Sequence, residues 1–235
     1  MATYVISDIH GEYEQFLSLL AQINLQPDDS LYILGDVLDR GPEPIRTLIH
    51  LMGMKNVIPI AGNHELMALD CLRFLRKEIT EKSIRELTPE VTENFFTWAE
   101  NGSAPTIEEF RKLQSERQQA VIDYIREFSV CEEIIVNGQK YLLVHAGLGN
   151  YSPDKEIDDY SLKELMWDRA DYETMYFPDT YVITGHTPTQ LIDDNPNPGY
   201  IYRKNNHIAI DCGACFPGGR LAAICLDNGY EYYSR

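Results

Sequence analysis

The sequence predicts an α/β protein. Two observations carry that prediction. Strand and helix signals alternate three times in the first third of the chain, and the last portion returns to short strands, two pairs of which flank Asn-Gly turns. Alternation of the first kind implies parallel strands in a sheet covered by helices. Adding hairpins later implies a mixed sheet or two stacked sheets.

Thr3 to Ser7 reads as a short buried strand ahead of a polar turn. Glu12 to Ile23 follows as a helix, because Phe16, Leu19, Leu20 and Ile23 recur on one face. Leu31 to Leu34 is the second strand and Pro42 to Met52 the second helix, with proline at its start. Val57 to Ile60 is the third strand, leading into a helix from about Glu65. From Lys77 to Phe128 the chain is rich in charged, helix-forming residues and reads as a helical insertion. Ile134 to Val136 and Lys140 to His145 flank Asn137-Gly138, a strong hairpin signal. Tyr181 to Thr184, Ile208 to Asp211, Leu221 to Leu226 and Tyr230 to Tyr233 are further strands, the last expected at an edge or terminus. With no repeat and no linker, residues 1 to 235 are expected to form one domain.

Bulk properties narrow the function. No apolar run approaches the ~20 residues needed to span a bilayer, and Met1 to Ser7 lacks a basic leader and apolar stretch. Five cysteines without regular spacing fit a reducing compartment, so a cytoplasmic protein is expected. The net charge of −17 argues against nonspecific nucleic-acid or membrane binding, which requires a basic surface. An acidic protein binds an anion only through a locally positive site, built from metals or clustered arginine.

The polar residues with metal-binding chemistry are placed suggestively. Asp8 and His10 follow the first strand, Asp36 the second, and Asn63 and His64 the third. His145 ends a later strand and His186 follows another. Ligands in open α/β sheets bind at the carboxyl ends of strands. Glycines flank each segment (Gly11, Gly35, Gly41, Gly62, Gly147, Gly185) and permit sharp turns and close approach to an ion or phosphate. Carboxylate, imidazole and amide together suit Mn, Fe or Zn better than the all-oxygen sites of Ca or Mg. Any one of these residues could be a turn or core residue; the shared strand-end setting of His10, His64, His145 and His186 argues otherwise.

The blocks Ser7-Asp8-Ile9-His10-Gly11, Gly35-Asp36-Val37-Leu38-Asp39-Arg40-Gly41, Gly62-Asn63-His64-Glu65, Val144-His145-Ala146-Gly147 and Gly185-His186-Thr187-Pro188 resemble, in order, the five signatures of calcineurin-like metallophosphoesterases. The likeness is nearest to bacterial and phage serine/threonine phosphatases of the phosphoprotein phosphatase type. It implies two mixed sheets packed as a sandwich with helices outside, and two divalent ions, Mn first, with Fe, Zn or Ni as alternatives. It also implies that Asp8, His10 and His186 hold one ion, that Asn63 and His145 hold the other, and that Asp36 bridges them. His64 would be the general acid oriented by Asp39, and Arg40 would bind phosphate. Trp167-Asp168-Arg169 is similar to the segment carrying a second arginine, which makes Arg169 its candidate. Trp98 to Thr106 is similar to a stretch near the substrate, with Asn101 lining the pocket.

The reaction so implied is hydrolysis of phosphate monoesters by in-line attack of a metal-bridging hydroxide, on a phosphoprotein or a phosphorylated small molecule. A symmetrical diadenosine tetraphosphate hydrolase is the first rival, and action on nucleic-acid ends or cyclic phosphates is the second. A non-catalytic metal- or phosphate-binding protein is the rival from outside enzymology. Asp39-Arg40 favours the protein-phosphatase branch, since dinucleotide hydrolases usually carry a small residue at the Asp39 position. Cys212 and Cys215 have the spacing of a redox or zinc pair but no further ligands in sight, and are read as packing residues. His50 and His207 are read as structural or solvated.

Overall fold

The computed structural model describes residues 1–77, 80 and 88–235, and all statements about the insertion concern those residues. Two five-stranded sheets pack face to face, with strand orders β10-β9-β1-β2-β3 and β4-β5-β6-β8-β7. The first holds β1 (Thr3–Ile6), β2 (Ser30–Leu34), β3 (Val57–Ile60), β9 (Ala222–Cys225) and β10 (Glu231–Tyr233). The second holds β4 (Cys131–Val136), β5 (Gln139–Val144), β6 (Thr180–Thr184), β7 (Tyr202–Lys204) and β8 (His207–Ala209). In the first, β1, β2 and β3 pair parallel, and β9 pairs antiparallel with both β1 and β10. In the second, β5, β6 and β8 are parallel and β4 and β7 are antiparallel edges.

Period-two alternation explains the layers. Val5, Leu34 and Ile60 from one sheet meet Leu143, Ile183 and Ile208 from the other in a shared buried core. Their neighbours Tyr4, Ile6, Leu31 and Ile33 face outward onto helices α1 (Tyr13–Ile23), α2 (Pro44–Met52) and α3 (Asn63–Leu75). Leu142, Val144 and Val182 face the opposite way onto Leu165 and Met166 of the short helix Leu162–Met166. Strands buried on both faces are continuously apolar, which is why they stand out in the sequence.

The insertion is helical where described, with α4 (Pro89–Glu100), α5 (Ala104–Arg111) and α6 (Ser115–Arg126); positions 78, 79 and 81–87 of the expected insertion lie outside the described residues. The short helix Leu162–Met166 is α7. The Asn137-Gly138 hairpin turns with φ of 50° and 81°, the positive pair that a two-residue type I′ loop requires. The second helix begins at Pro44, two residues later than expected, with Pro44 in its first turn and Pro42 exposed ahead of it. No helix of the described residues is long and apolar enough to cross a membrane.

Candidate functional site: a histidine and carboxylate centre

The site forms where the parallel strands of both sheets end. Asp8 and His10 lie beyond β1, Asp36, Asp39 and Arg40 beyond β2, and Asn63 and His64 open α3 just past β3. His145 follows β5 and His186 follows β6. The chain reaches these positions through strained backbone. Among the described residues, the non-glycine positions with positive φ are Asp8, His10, Asp36, Asp39, Arg40 and His186, plus five asparagines elsewhere. Asparagine tolerates that region, but the six site residues cost roughly 1–3 kcal/mol each and persist only because their surroundings hold them.

Glycine is required where side chains crowd. A Cβ on Gly62 would stand 2.2 Å from Asp36 Oδ1, and one on Gly185 would stand 2.1 Å from Asp8 Oδ2.

Asp36 stands at the centre. Its Oδ1 is 3.4 Å from His145 Nε2, and its Oδ2 is 3.6 Å from His10 Nε2 and 3.9 Å from His64 Nε2. Two groups of side chains could each hold a metal ion, His10–Asp36–His64 and Asp36–His145–His186, and they share Asp36. The donor chemistry fits divalent ions. His10 Nδ1 donates to Leu38 O at 2.8 Å and His145 Nδ1 donates to Leu34 O at 2.6 Å. Each bond commits one ring nitrogen to the main chain and turns the other toward the centre, as metal-ligating imidazoles require. Burial lowers His10 and His186 to about 3, which keeps both rings neutral.

The centre brings several buried carboxyls close together. Burial, then the neighbouring Asp211, push Asp8 well above the carboxylate range. Burial likewise raises Asp211 to about 6. Burial works against charge on Asp36, but His145, His64 and His10 outweigh it and hold that carboxyl well below its usual range. His145 is the converse: burial disfavours its charge, Asp36 and Asp8 overcome it, and the ring is raised to about 10. A buried cluster that recruits a proton onto imidazole is one that a cation stabilises.

The structure sets the His186 ring beside Asn63 and His145, not beside Asp8 and His10. The ring Nδ1 lies 3.0 Å from Asn63 Oδ1, which is also 3.0 Å from His145 Nε2. Only the His186 main-chain N–H reaches Asp8, at 3.1 and 3.0 Å from the two carboxylate oxygens. Topology is the reason, since β6 pairs with β5 and sets His186 beside His145, whereas His10 leaves the other sheet.

The remaining candidates converge on one cleft. Asp36, Arg40, Asn63, Asn101, Arg169 and His186 all line a cavity of ≈ 360 Å³. Arg40 is forked toward two rings, donating at 2.8 Å to His10 Nε2 and at 2.9 Å to His64 Nε2. His64, fully buried, donates from Nδ1 to Asp39 Oδ2 at 2.6 Å. Asn101 donates its amide to Thr97 O at 2.8 Å. His50 and His207 lie outside this cluster, bonded to the Tyr13 hydroxyl and to Thr174 O. All five cysteines are free thiols.

The family model for calcineurin-like phosphoesterases matches residues 1–233. The chain belongs to that family. Serine/threonine-protein phosphatase 2 of Salmonella typhimurium is 30% identical over 169 residues, covering 71% of this phosphoesterase and 67% of the relative. A symmetrical bis(5′-nucleosyl)-tetraphosphatase of Baumannia cicadellinicola subsp. Homalodisca coagulata is 25% identical over 234 residues, covering 97% and 69%. Solved structures of other proteins share the fold. A serine/threonine phosphatase of Saccharomyces cerevisiae superposes with a TM-score of 0.64 at 12% identity, covering 100% of this chain and 80% of that one. A metallophosphoesterase of Sphaerobacter thermophilus gives 0.57 at 18%, covering 100% and 87%.

Two residues of the phosphoesterase site went unassigned in the sequence. Glu65, 1% exposed, accepts the main-chain N–H groups of Asp36 (2.8 Å), Val37 (2.9 Å), Leu38 (3.2 Å) and Gly62 (3.0 Å). It therefore shapes the turn that presents Asp36. The only sequence signal is an acid in the first turn of a helix that follows a glycine. Glu65→Ala leaves four buried donors without this acceptor, at roughly 1–3 kcal/mol for each one left unsatisfied. Urea denaturation is expected to show a loss of at least about 3 kcal/mol; a loss near zero would mean that the turn holds itself. Asp211 is the second, buried beyond β8 and accepting the Gly213 N–H at 2.8 Å. Like Asp8 and Asp36, it is a carboxylate just after a strand, and that likeness was the available signal.

Proposed function

We propose that this phosphoesterase is a dinuclear-metal phosphomonoesterase acting on phosphoserine and phosphothreonine in proteins, with Asp8, His10, Asp36, Asn63, His145 and His186 as the metal ligands. The observation that carries the reading is the buried Asp39–His64 pair, joined at 2.6 Å, with His64 Nε2 beside Arg40 at 2.9 Å. Such a pair fixes the imidazole with Nε2 facing the cleft, where it accepts from Arg40; once protonated and released from that bond, Nε2 can deliver a proton to a departing oxygen. A serine or threonine alkoxide is a poor leaving group and needs that proton far more than a nucleotide phosphate does.

Bound divalent ions, manganese first among the candidates, would supply an ionised water at neutral pH and offset the charge of the phosphoryl oxygens. The chain's own groups do the rest. Arg40 and Arg169 hold the phosphate oxygens with planar forks, and Asn101 lines the same cleft. In-line attack of hydroxide on phosphorus would form the new P–O bond as the ester P–O bond breaks, and the departing ester oxygen would take the proton from His64 Nε2. Asp39 keeps Nδ1 protonated throughout. The insertion and both sheets work as one catalytic unit, since the substrate cleft draws on all of them.

A second reading, hydrolysis of symmetrical dinucleoside tetraphosphates, is supported by the relative that aligns over 97% of the chain. It is also supported by a cavity of ≈ 610 Å³ that shares Arg169 with the cleft and is lined by Lys163, Asp168 and Tyr151, with room for the rest of a larger substrate. Phosphopeptides, diadenosine tetraphosphate, 2′,3′-cyclic nucleotides and p-nitrophenyl phosphate compared at equal concentration separate the readings. Phosphopeptides are expected to give the highest kcat/KM among the biological substrates, and preference for either nucleotide class would overturn the protein-phosphatase assignment.

A further inference from the structure

We infer that Trp98 and Thr106, both supplied by the helical insertion, are positioning residues for proton delivery to the leaving oxygen. The inference rests on His64 being the general acid. Asp39 is fully buried, and both of its carboxylate oxygens are engaged. Oδ2 accepts from His64 Nδ1 at 2.6 Å and from Trp98 Nε1 at 2.7 Å. Oδ1 accepts from Thr106 Oγ1 at 2.5 Å, and that hydroxyl in turn accepts the Asp39 main-chain N–H at 3.0 Å.

The Thr106 hydroxyl has one proton. Because its oxygen takes the Asp39 N–H, the proton is directed to Oδ1, and the two bonds close a ring through the Asp39 side chain and backbone. That ring holds the carboxylate at a residue whose φ is 72°. Trp98 has no exposed surface, and its ring is flanked by Phe95, so the direction of its N–H is set by packing. An indole N–H also donates without ever accepting. The loop between α4 and α5 completes the grip, since Gly102 O accepts the Arg40 main-chain N–H at 2.9 Å.

The third group bonded to the Asp39 carboxylate is the His64 ring. Two neutral donors therefore share with the acid's own ring the hydrogen bonding of a buried carboxylate. They keep the carboxylate in one rotamer, and its Oδ2 holds the imidazole with Nε2 toward the cleft. Without them the carboxylate can turn, the ring follows, and the proton is misaligned. The resulting loss should grow with the basicity of the leaving oxygen, which a general weakening of the fold would not produce.

Metal-loaded Trp98→Phe, Thr106→Val and Thr106→Ser proteins, with His64→Ala as reference, are assayed on phenyl phosphate and p-nitrophenyl phosphate. Phenyl phosphate has the more basic leaving oxygen. Trp98→Phe and Thr106→Val are expected to lower kcat about tenfold on phenyl phosphate and about two- to threefold on p-nitrophenyl phosphate, part of the 10²–10⁴-fold that a general acid contributes. Thr106→Ser should recover most of the difference. If His64→Ala shows the leaving-group bias but Trp98→Phe and Thr106→Val lose activity on both substrates equally, the inference falls and the His64 reading stands. If His64→Ala shows no bias, the acid reading fails and takes the inference with it. Should Trp98→Phe not fold, the Thr106→Val and Thr106→Ser pair decides alone.

Discussion

His64→Ala is expected to lower kcat on a phosphoserine peptide by about 10²- to 10⁴-fold, the range for loss of a general acid, while bound metal stays near the wild-type amount. Geometry makes this a demanding expectation. His64 Nε2 lies 3.9 Å from Asp36 Oδ2, and the ring belongs to one of the two groups that could hold an ion. Its Nδ1, however, bonds to a carboxylate, Asp39, whereas His10 and His145 spend theirs on main-chain carbonyls. A carboxylate partner fixes the tautomer and the orientation of the ring, which a proton donor needs and a metal ligand obtains equally from a carbonyl. Elemental analysis beside the kinetics separates the roles, for loss of metal in His64→Ala would make this residue a ligand and send the search for the acid elsewhere.

Asp36→Asn is expected to lose metal and activity together. Each carboxylate oxygen faces a different side of the centre, Oδ1 toward His145 and Oδ2 toward His10. Asparagine keeps one oxygen and replaces the other with an NH₂ donor, which cannot ligate and adds no negative charge. The change also bears on His64, whose main-chain N–H donates to Asp36 Oδ1 at 3.1 Å. Titration with Mn should show at least a tenfold weaker affinity, about 1.4 kcal/mol, as for loss of a supporting ligand contact. An unchanged affinity would show that Asp36 does not join the two sides.

Much of this centre was legible because its residues announce themselves locally. Asp8, Asp36 and His145 each follow an apolar run and sit beside or close to glycine, and strands buried on both faces produce such runs. The hairpin at Asn137-Gly138 was equally readable, since positive φ at two successive positions restricts the choice of residue. What escaped depends on distance along the chain. Resemblance set the stretch Trp98 to Thr106 near the substrate, but Trp98 and Thr106 meet Asp39 across 59 and 67 residues, and no periodicity records such a contact. Glu65 reaches back 29 residues to the Asp36 turn while looking like an ordinary first-turn acid. The pairing of His186 with His145 required knowing that β5 and β6 are neighbours. The helix α7 and the strand β7, five and three residues long, are too short for a pattern to emerge.

The central claim is that metal-dependent phosphoester hydrolysis occurs at the Asp36 centre. Its most direct test is p-nitrophenyl phosphate turnover by metal-stripped protein, with Mn, Mg, Zn, Fe and Ni restored one at a time, alongside Asp36→Asn under the same conditions. Activity should be absent without metal, return with Mn above the others, and stay absent in the variant. Turnover that survives complete metal removal, or that Asp36→Asn supports as well as the wild type, would contradict it.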